Sequence, residues 1–314
     1  MKVGLIGLGP WGRNYINTIE KINGIELNWI CSPNRNLEEF SKKYRVTKNY
    51  NDILKDKQTD SVIISTPPTT HYSLIKKALL AEKDVLVEKP ITLSSKEALE
   101  LHHLSMEKLK VLMVGHQFLY HPAVKELKRI ILNGDLGELR YFYSNRSNPE
   151  PSRSDISVLW DFAPHDISLI NYLTGNLPIR VMAEGKKILK SRIENLVDIS
   201  LTYPGNISSF IHLSWAASKK IRKILVVGSK KIIIFDDLFE EKLKIYELEQ
   251  KEERYYTPVL DKRTPLELQC LDFLYCTTNR KKPLSDGYEG YINIKILEII
   301  EESIKKKKEV RIDF

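Results

Sequence analysis

Three stretches of this 314-residue chain put reactive side chains at spacings that chemistry uses. Gly7-Leu8-Gly9-Pro10-Trp11-Gly12 fits the pattern G-x-G-x-x-G. Between a strand and a helix, the first glycine of that pattern makes a tight turn and the second lets the backbone approach a pyrophosphate. The third allows close helix–strand packing, and the helix N-terminus attracts the negative charge. Glu88-Lys89-Pro90 closes an apolar run. Lys89 is either a fixed cation beside a reacting centre, able to bind a substrate hydroxyl and stabilise a developing alkoxide, or a solvent lysine at a turn. Asp161 and His165 stand four residues apart in Leu159–Leu169. A carboxylate that orients an imidazole and stabilises its protonated form gives a general base near neutral pH. The same segment also suits Asp161 or Asp166 as a helix N-terminal acid, with His165 a satisfied interior histidine.

Other residues fall around these three. A dinucleotide fingerprint places an Asp or Glu at the end of the second strand for the adenosine ribose, but this chain has Ser32 there, followed by Arg35. Losing the acid removes repulsion of a 2′-phosphate, and Arg35 either pairs with one or lies on the surface, which leaves both NAD and NADP open. Thr66-Pro67-Pro68 follows an apolar strand and can shape the cofactor cleft, with His71 beginning the next helix as either a cleft residue or a cap. Gln117 is placed to help position the nicotinamide end, or is simply solvated. Arg146 and Arg153 either help bind a diphosphate or carboxylate, or pair with protein carboxylates.

Positioning these residues takes a particular set of elements. Val3–Ile6, Glu26–Cys31, Ser61–Ser65, Asp84–Val87 and Val111–Val114 read as buried strands, separated by helices over 11–22, 37–44, 70–81 and 94–109. Such alternation implies a doubly wound parallel sheet covered on both faces, a Rossmann-like α/β domain. After Gly115 the rhythm changes. A helix over 122–133, a strand Glu138–Arg146 and a helix over 164–173 precede five turn-bounded strands between 179 and 235, with Pro204-Gly205-Asn206 and Gly228-Ser229 as turns. This reads as an α+β domain with a large open, mainly antiparallel sheet, closed by helices over 265–278 and 287–307 and a last short strand. The change of pattern predicts domains at 1–118 and 119–314.

Composition narrows the classes further. With 42% hydrophobic and 29% charged residues the chain can bury a full core, which excludes disorder as its main state. Three cysteines without a C-x-x-C pair match neither a disulfide framework nor a zinc site, so a reducing cytoplasm is expected and no metal. No signal-peptide pattern and no run of about 18 apolar residues is found, so no membrane partner is expected. The net charge of +8 raises a polyanion as partner, but the basic residues are dispersed among acids and no recognition motif accompanies them. Nucleic acid is therefore not expected.

The fingerprint GLGPWG, the turn STPPTTH, the tripeptide EKP and the D-x-x-x-H of WDFAPHDIS occur in the order and approximate spacing of the Gfo/Idh/MocA oxidoreductases, and the chain resembles that family over essentially its whole length. The resemblance implies a nicotinamide-dependent dehydrogenase of a sugar or sugar-like alcohol, with Lys89, Asp161 and His165 as its catalytic lysine, aspartate and histidine. The usual D-x-G-x-H-x-x-D pattern has Ala163 for the glycine and Ser168 for the last acid, so sugar specificity does not carry over from inositol dehydrogenases. The strings GPWGRN, GHQFLYHPAV, SNRSNPEPSRSDISVLWDFAPHDISLINYLTG and VVGSKK look most like the branch that modifies nucleotide sugars, in particular UDP-N-acetylglucosamine 3-dehydrogenases.

The expected function is therefore oxidation of a secondary hydroxyl, the 3-hydroxyl of a UDP-N-acetylhexosamine or its uronic acid, by NAD or NADP. A free sugar, polyol or inositol is the alternative substrate, and a non-catalytic dinucleotide-sensing regulator is the alternative class. The cleft is expected to hold the cofactor against the first domain and the sugar against the open sheet. An open sheet with one exposed face commonly needs covering, which suggests a homodimer or homotetramer.

Overall fold

Apolar runs that carry no polar face must be covered on both sides, and the first part of the chain meets that requirement with a parallel sheet. The computed structural model of the protein describes residues 1–149, 156–189, 193–248 and 254–314. Its first elements are β1 (Lys2–Ile6), α1 (Pro10–Ile19), β2 (Glu26–Cys31), α2 (Glu38–Ser41), β3 (Arg45–Thr47), α3 (Tyr50–Lys55), β4 (Ser61–Ile64), α4 (His71–Leu80), β5 (Asp84–Val87), α5 (Ser95–Glu107) and β6 (Leu112–Val114). The strands pair in parallel in the order β3-β2-β1-β4-β5-β6. The order reverses beside β1, which is where ligands of doubly wound sheets sit. Every residue of β4 and β5 is buried, as uniform apolarity requires. Strand β3 and helix α3 were not expected. Both are short, and β3 is only partly buried, so neither leaves a periodic trace.

The remaining elements are α6 (Pro122–Leu132), β7 (Leu139–Ser147), α7 (Val158–Thr174), β8 (Arg180–Lys186), β9 (Leu196–Tyr203), β10 (Ile207–Ser214), β11 (Ile221–Gly228), β12 (Lys231–Asp236), β13 (Leu243–Glu247), β14 (Tyr255–Tyr256), α8 (Pro265–Asn279), α9 (Gly287–Lys306) and β15 (Val310–Arg311). Among the described residues the second sheet runs β14-β13-β12-β11-β7-β10-β9-β8-β15. All its pairings are antiparallel except β10 with β7, as an open, mainly antiparallel sheet predicts. The turn between β9 and β10 has Gly205 at φ 77 and Asn206 at φ 61, the left-handed backbone that Gly and Asn tolerate best.

Contacts divide the chain into two units, Met1–Tyr120 with Arg263–Ile294, and His121–Lys262 with Lys295–Phe314. The predicted division at 118 falls close to the first crossing, but Arg263–Ile294, assigned by sequence to the second domain, packs with the first. The cause is side-chain pairing that leaves no local pattern. Gln269 of α8 donates to the Tyr15 hydroxyl of α1 at 3.1 Å, and Ser285 Oγ donates to the Val114 carbonyl at the end of β6 at 2.7 Å.

Helix α7 differs from its prediction in a second way. It begins at Val158, so Pro164 lies inside the helix and not in its first turn. Most of α7 is buried, polar His165, Asp166 and Ser168 included, and a helix buried on most sides shows no clear periodicity at its start. Asp161 is thereby placed in the first turn, where a carboxylate favours the helix dipole.

Candidate active site

In the first unit the glycine segment turns as the fingerprint requires. Gly7 has φ +108, and a Cβ there would lie 2.7 Å from the Ser65 carbonyl. A Cβ on Gly12 would come within 2.2 Å of the Gly7 oxygen, so helix α1 and the loop touch backbone to backbone. Gly9 is different: its φ is −82 and a Cβ would meet nothing within 4 Å. Gly9 caps α1 without a side-chain hydrogen bond, and the first turn carries no acid. That leaves N–H donors and positive dipole facing open space, which fits a dinucleotide pyrophosphate. Pro10 begins the helix and Trp11 is exposed at its mouth. Ser32 follows β2 and is buried beside this loop, since the Gly7 N–H donates to the Cys31 carbonyl at 2.9 Å, whereas Arg35 is exposed.

The next two strand ends carry the rest of this unit's candidates. Thr66 Oγ1 and Thr70 Oγ1 are 2.7 Å apart across the Pro67-Pro68 turn. His71 is fully buried, with Nδ1 2.8 Å from the Pro90 carbonyl and Nε2 2.8 Å from the Thr66 carbonyl. Lys89 is half-buried after β5. Glu88, expected to touch the cofactor, points instead into the unit: the Tyr15 hydroxyl donates to its Oε1 at 2.8 Å. Burial raises both the Glu88 carboxyl and the Tyr15 phenol above their ordinary values. Gln117 opens a short 3₁₀ turn, Gln117–Tyr120, and is partly buried.

Sequence reasoning missed a neighbour of Lys89. His116, 2% exposed, has Nε2 3.2 Å from Glu289 Oε2 of α9. Burial, with the Lys89 ammonium adding to it, holds the His116 imidazole down to about 3. Burial and then Asp286 push the Glu289 carboxyl up to about 8. Only the position of His116 next to Gln117 signalled it. Glu289 sits in a helix full of acids and carried no signal.

In the second unit α7 carries Asp161 and His165 one helical turn apart, with His165 buried. Ser168, in place of the family's last acid, donates to the His165 carbonyl at 3.1 Å. Arg146, expected to contact substrate, is instead held by Asp166: its Nε donates to Oδ2 at 2.7 Å and Ser144 donates to Oδ1 at 2.6 Å, all three buried. The carboxylate partner weighed as the alternative is the one found. Arg153 lies outside the described residues.

Comparison with known proteins identifies the family. The description "Oxidoreductase family, NAD-binding Rossmann fold" matches residues 1–116, and "GFO/IDH/MocA C-terminal domain" matches residues 124–234. The chain belongs to the Gfo/Idh/MocA family of oxidoreductases, and its first unit is an NAD-binding Rossmann fold. It is 32% identical over 187 residues to a UDP-N-acetylglucosamine 3-dehydrogenase of Acidithiobacillus ferrooxidans, covering 59% of this chain and 58% of that one. The solved structure of that enzyme superimposes with a TM-score of 0.85, covering 98% of both chains at 25% identity. A myo-inositol 2-dehydrogenase of Thermotoga maritima is 22% identical, covering 100% of this chain and 99% of the other. In sequence, the chain spans less than two thirds of the Acidithiobacillus relative's length.

Proposed function

We propose that the chain is a dehydrogenase that oxidises a secondary hydroxyl of a sugar, the 3-hydroxyl of a UDP-N-acetylhexosamine or its uronic acid, with NAD or NADP. The observation that carries this reading is in the first unit: Lys89 follows the end of β5 at the same edge of the sheet as the open cradle at Gly9. Gly7, Gly9, Gly12, the α1 N-terminus and Ser32 hold the dinucleotide, and Arg35 is available for a 2′-phosphate. When bound, the nicotinamide supplies the hydride acceptor. Lys89 donates a hydrogen bond to the substrate oxygen and steadies the alkoxide character that grows on it. His165, supported by Asp161, takes the hydroxyl proton, so the proton leaves to the imidazole as the carbon loses hydride. The 32% identity to a UDP-N-acetylglucosamine 3-dehydrogenase supports the nucleotide sugar. The end-to-end match to a myo-inositol 2-dehydrogenase keeps a free cyclitol or polyol as the second reading.

Incubating the protein and either cofactor with UDP-N-acetylglucosamine, its uronic acid, other nucleotide sugars and free polyols decides between them, read as loss of two hydrogens by mass. Oxidation of the nucleotide sugars supports the proposal, and oxidation of free polyols alone rejects the nucleotide-sugar assignment. Replacing Lys89 with Met should reduce turnover at least about a hundredfold while NADH binding persists; near-normal turnover removes its role. The open sheet is proposed to pair copies of the chain. The three cysteines are free and buried, in keeping with a cytoplasmic protein, and no described helix is long and apolar enough to cross a membrane.

A further inference from the structure

His71 takes no part in the reaction above, yet it is among the most completely buried polar residues of the first unit. Its two nitrogens reach two different strand ends. Nε2 is 2.8 Å from the carbonyl of Thr66, in the turn after β4. That turn sits on the glycine loop, because Ser65 Oγ donates to the Gly7 carbonyl at 2.9 Å. Nδ1 is 2.8 Å from the carbonyl of Pro90, the residue after Lys89. Within the turn Thr70 Oγ1 donates to the Pro67 carbonyl at 2.8 Å. The imidazole links this turn to the residue after Lys89.

The ring's proton inventory sharpens the point. Both partners are carbonyls and only accept, and a neutral imidazole has a single N–H. One N–H can hold one turn, whereas the imidazolium holds both. Burial lowers the His71 imidazole and the two carbonyls offset only part of that, so the ring holds either turn through one tautomer or the other.

We propose that His71 is a positioning residue that ties the cofactor-binding turn to the Lys89–Pro90 turn, so that one buried ring sets both the dinucleotide seat and the lysine ammonium. This rests on the dehydrogenase reading only for what the two turns do; the tie itself concerns this chain's own atoms.

Two conservative variants cut the tie one end at a time. An asparagine amide nitrogen takes the place of Nδ1 and a glutamine amide nitrogen that of Nε2, and each is a donor. Two readouts need no sugar: NADH affinity by fluorescence titration, and the rate at which an amine-acylating reagent labels Lys89, followed by peptide mass spectrometry. His71→Asn keeps the Pro90 bond and should leave Lys89 labelling within about twofold while NADH Kd rises about fivefold, the effect of one lost hydrogen bond. His71→Gln keeps the Thr66 bond and should show the reverse, with near-normal NADH affinity and Lys89 labelling raised severalfold. His71→Phe should change both. Asn and Gln variants that move the two readouts together, or a folded Phe variant that moves neither, overturn the proposal. If the unaltered protein binds neither NADH nor NADPH, the dehydrogenase reading fails, and the contrast in Lys89 labelling between Asn and Gln decides the tie by itself.

Discussion

His116 and Glu289 titrate in opposite senses, and the consequence is a stability optimum below neutral pH. The Glu289 carboxyl is raised from 4.5 to about 8, so between those values the folded chain keeps a proton that the unfolded chain releases, and stability falls as pH rises. His116 is lowered from 6.5 to about 3, so the folded chain binds fewer protons there and stability falls as pH drops from 6.5. Unfolding free energy from urea titrations should therefore be highest between pH 4.5 and 6.5. Glu289→Gln should flatten the alkaline limb, gaining at least about 1 kcal/mol on the unaltered protein between pH 5.5 and 8; an unchanged limb rejects the raised carboxyl. At this scale the sequence was partly legible. Lys89, Asp161 and His165 stood out because each sits in a short ordered motif. Arg146 was seen with two possible partners, and only folding decided for Asp166. Glu289 was invisible because its contact with His116 depends on how α9 meets the end of β6.

Among the elements, the glycine loop and α7 separate what holds the fold from what waits for a ligand. Gly9→Ala adds a Cβ into open space at an ordinary φ, so stability should stay within about 1 kcal/mol while dinucleotide affinity falls at least about tenfold, as measured by NADH titration. Gly12→Ala presses on the Gly7 carbonyl and should destabilise by about 1–3 kcal/mol in urea. If both variants bind NADH normally, the cradle is not the dinucleotide seat. The bond of α7 to β7 through Asp166 and Arg146 is buried, so removing one partner strands a charge. Asp166→Ala should cost about 3 kcal/mol, and pairing Asp166→Leu with Arg146→Met should recover most of it; equal losses in the single and double variants would contradict the ion pair's part in that cost. Parallel strands were readable as short runs apolar on both faces, and amphipathic helices such as α6 because one face alone is apolar. The start of α7 was not, since its polar face is itself buried and Pro164 imitated a first-turn proline.

For the whole molecule, the open face of the second sheet carries its own pattern. Leu225, Tyr143, Phe210, Ser200 and Met182 stand in register across β11, β7, β10, β9 and β8, and Tyr143, Phe210 and Met182 are exposed. A row of large apolar side chains on a sheet face is costly in water and suits a second copy of the same surface. Sedimentation should show an oligomer that Phe210→Asp reduces to smaller species without loss of far-UV circular dichroism; a monomeric unaltered protein at micromolar concentration rejects that pairing. The mainly antiparallel architecture was legible from turn-bounded strands, but the membership of α8 and the first part of α9 in the first unit was not, because long-range pairing has no period.

That membership bears on how the chain is made. Tyr15 waits for Gln269 and the end of β6 waits for Ser285, more than 150 residues further along the message. A nascent chain that has emerged as far as Tyr120 therefore lacks the part of the first unit that residues 263–294 supply, and that unit is completed only after most of the second has been made.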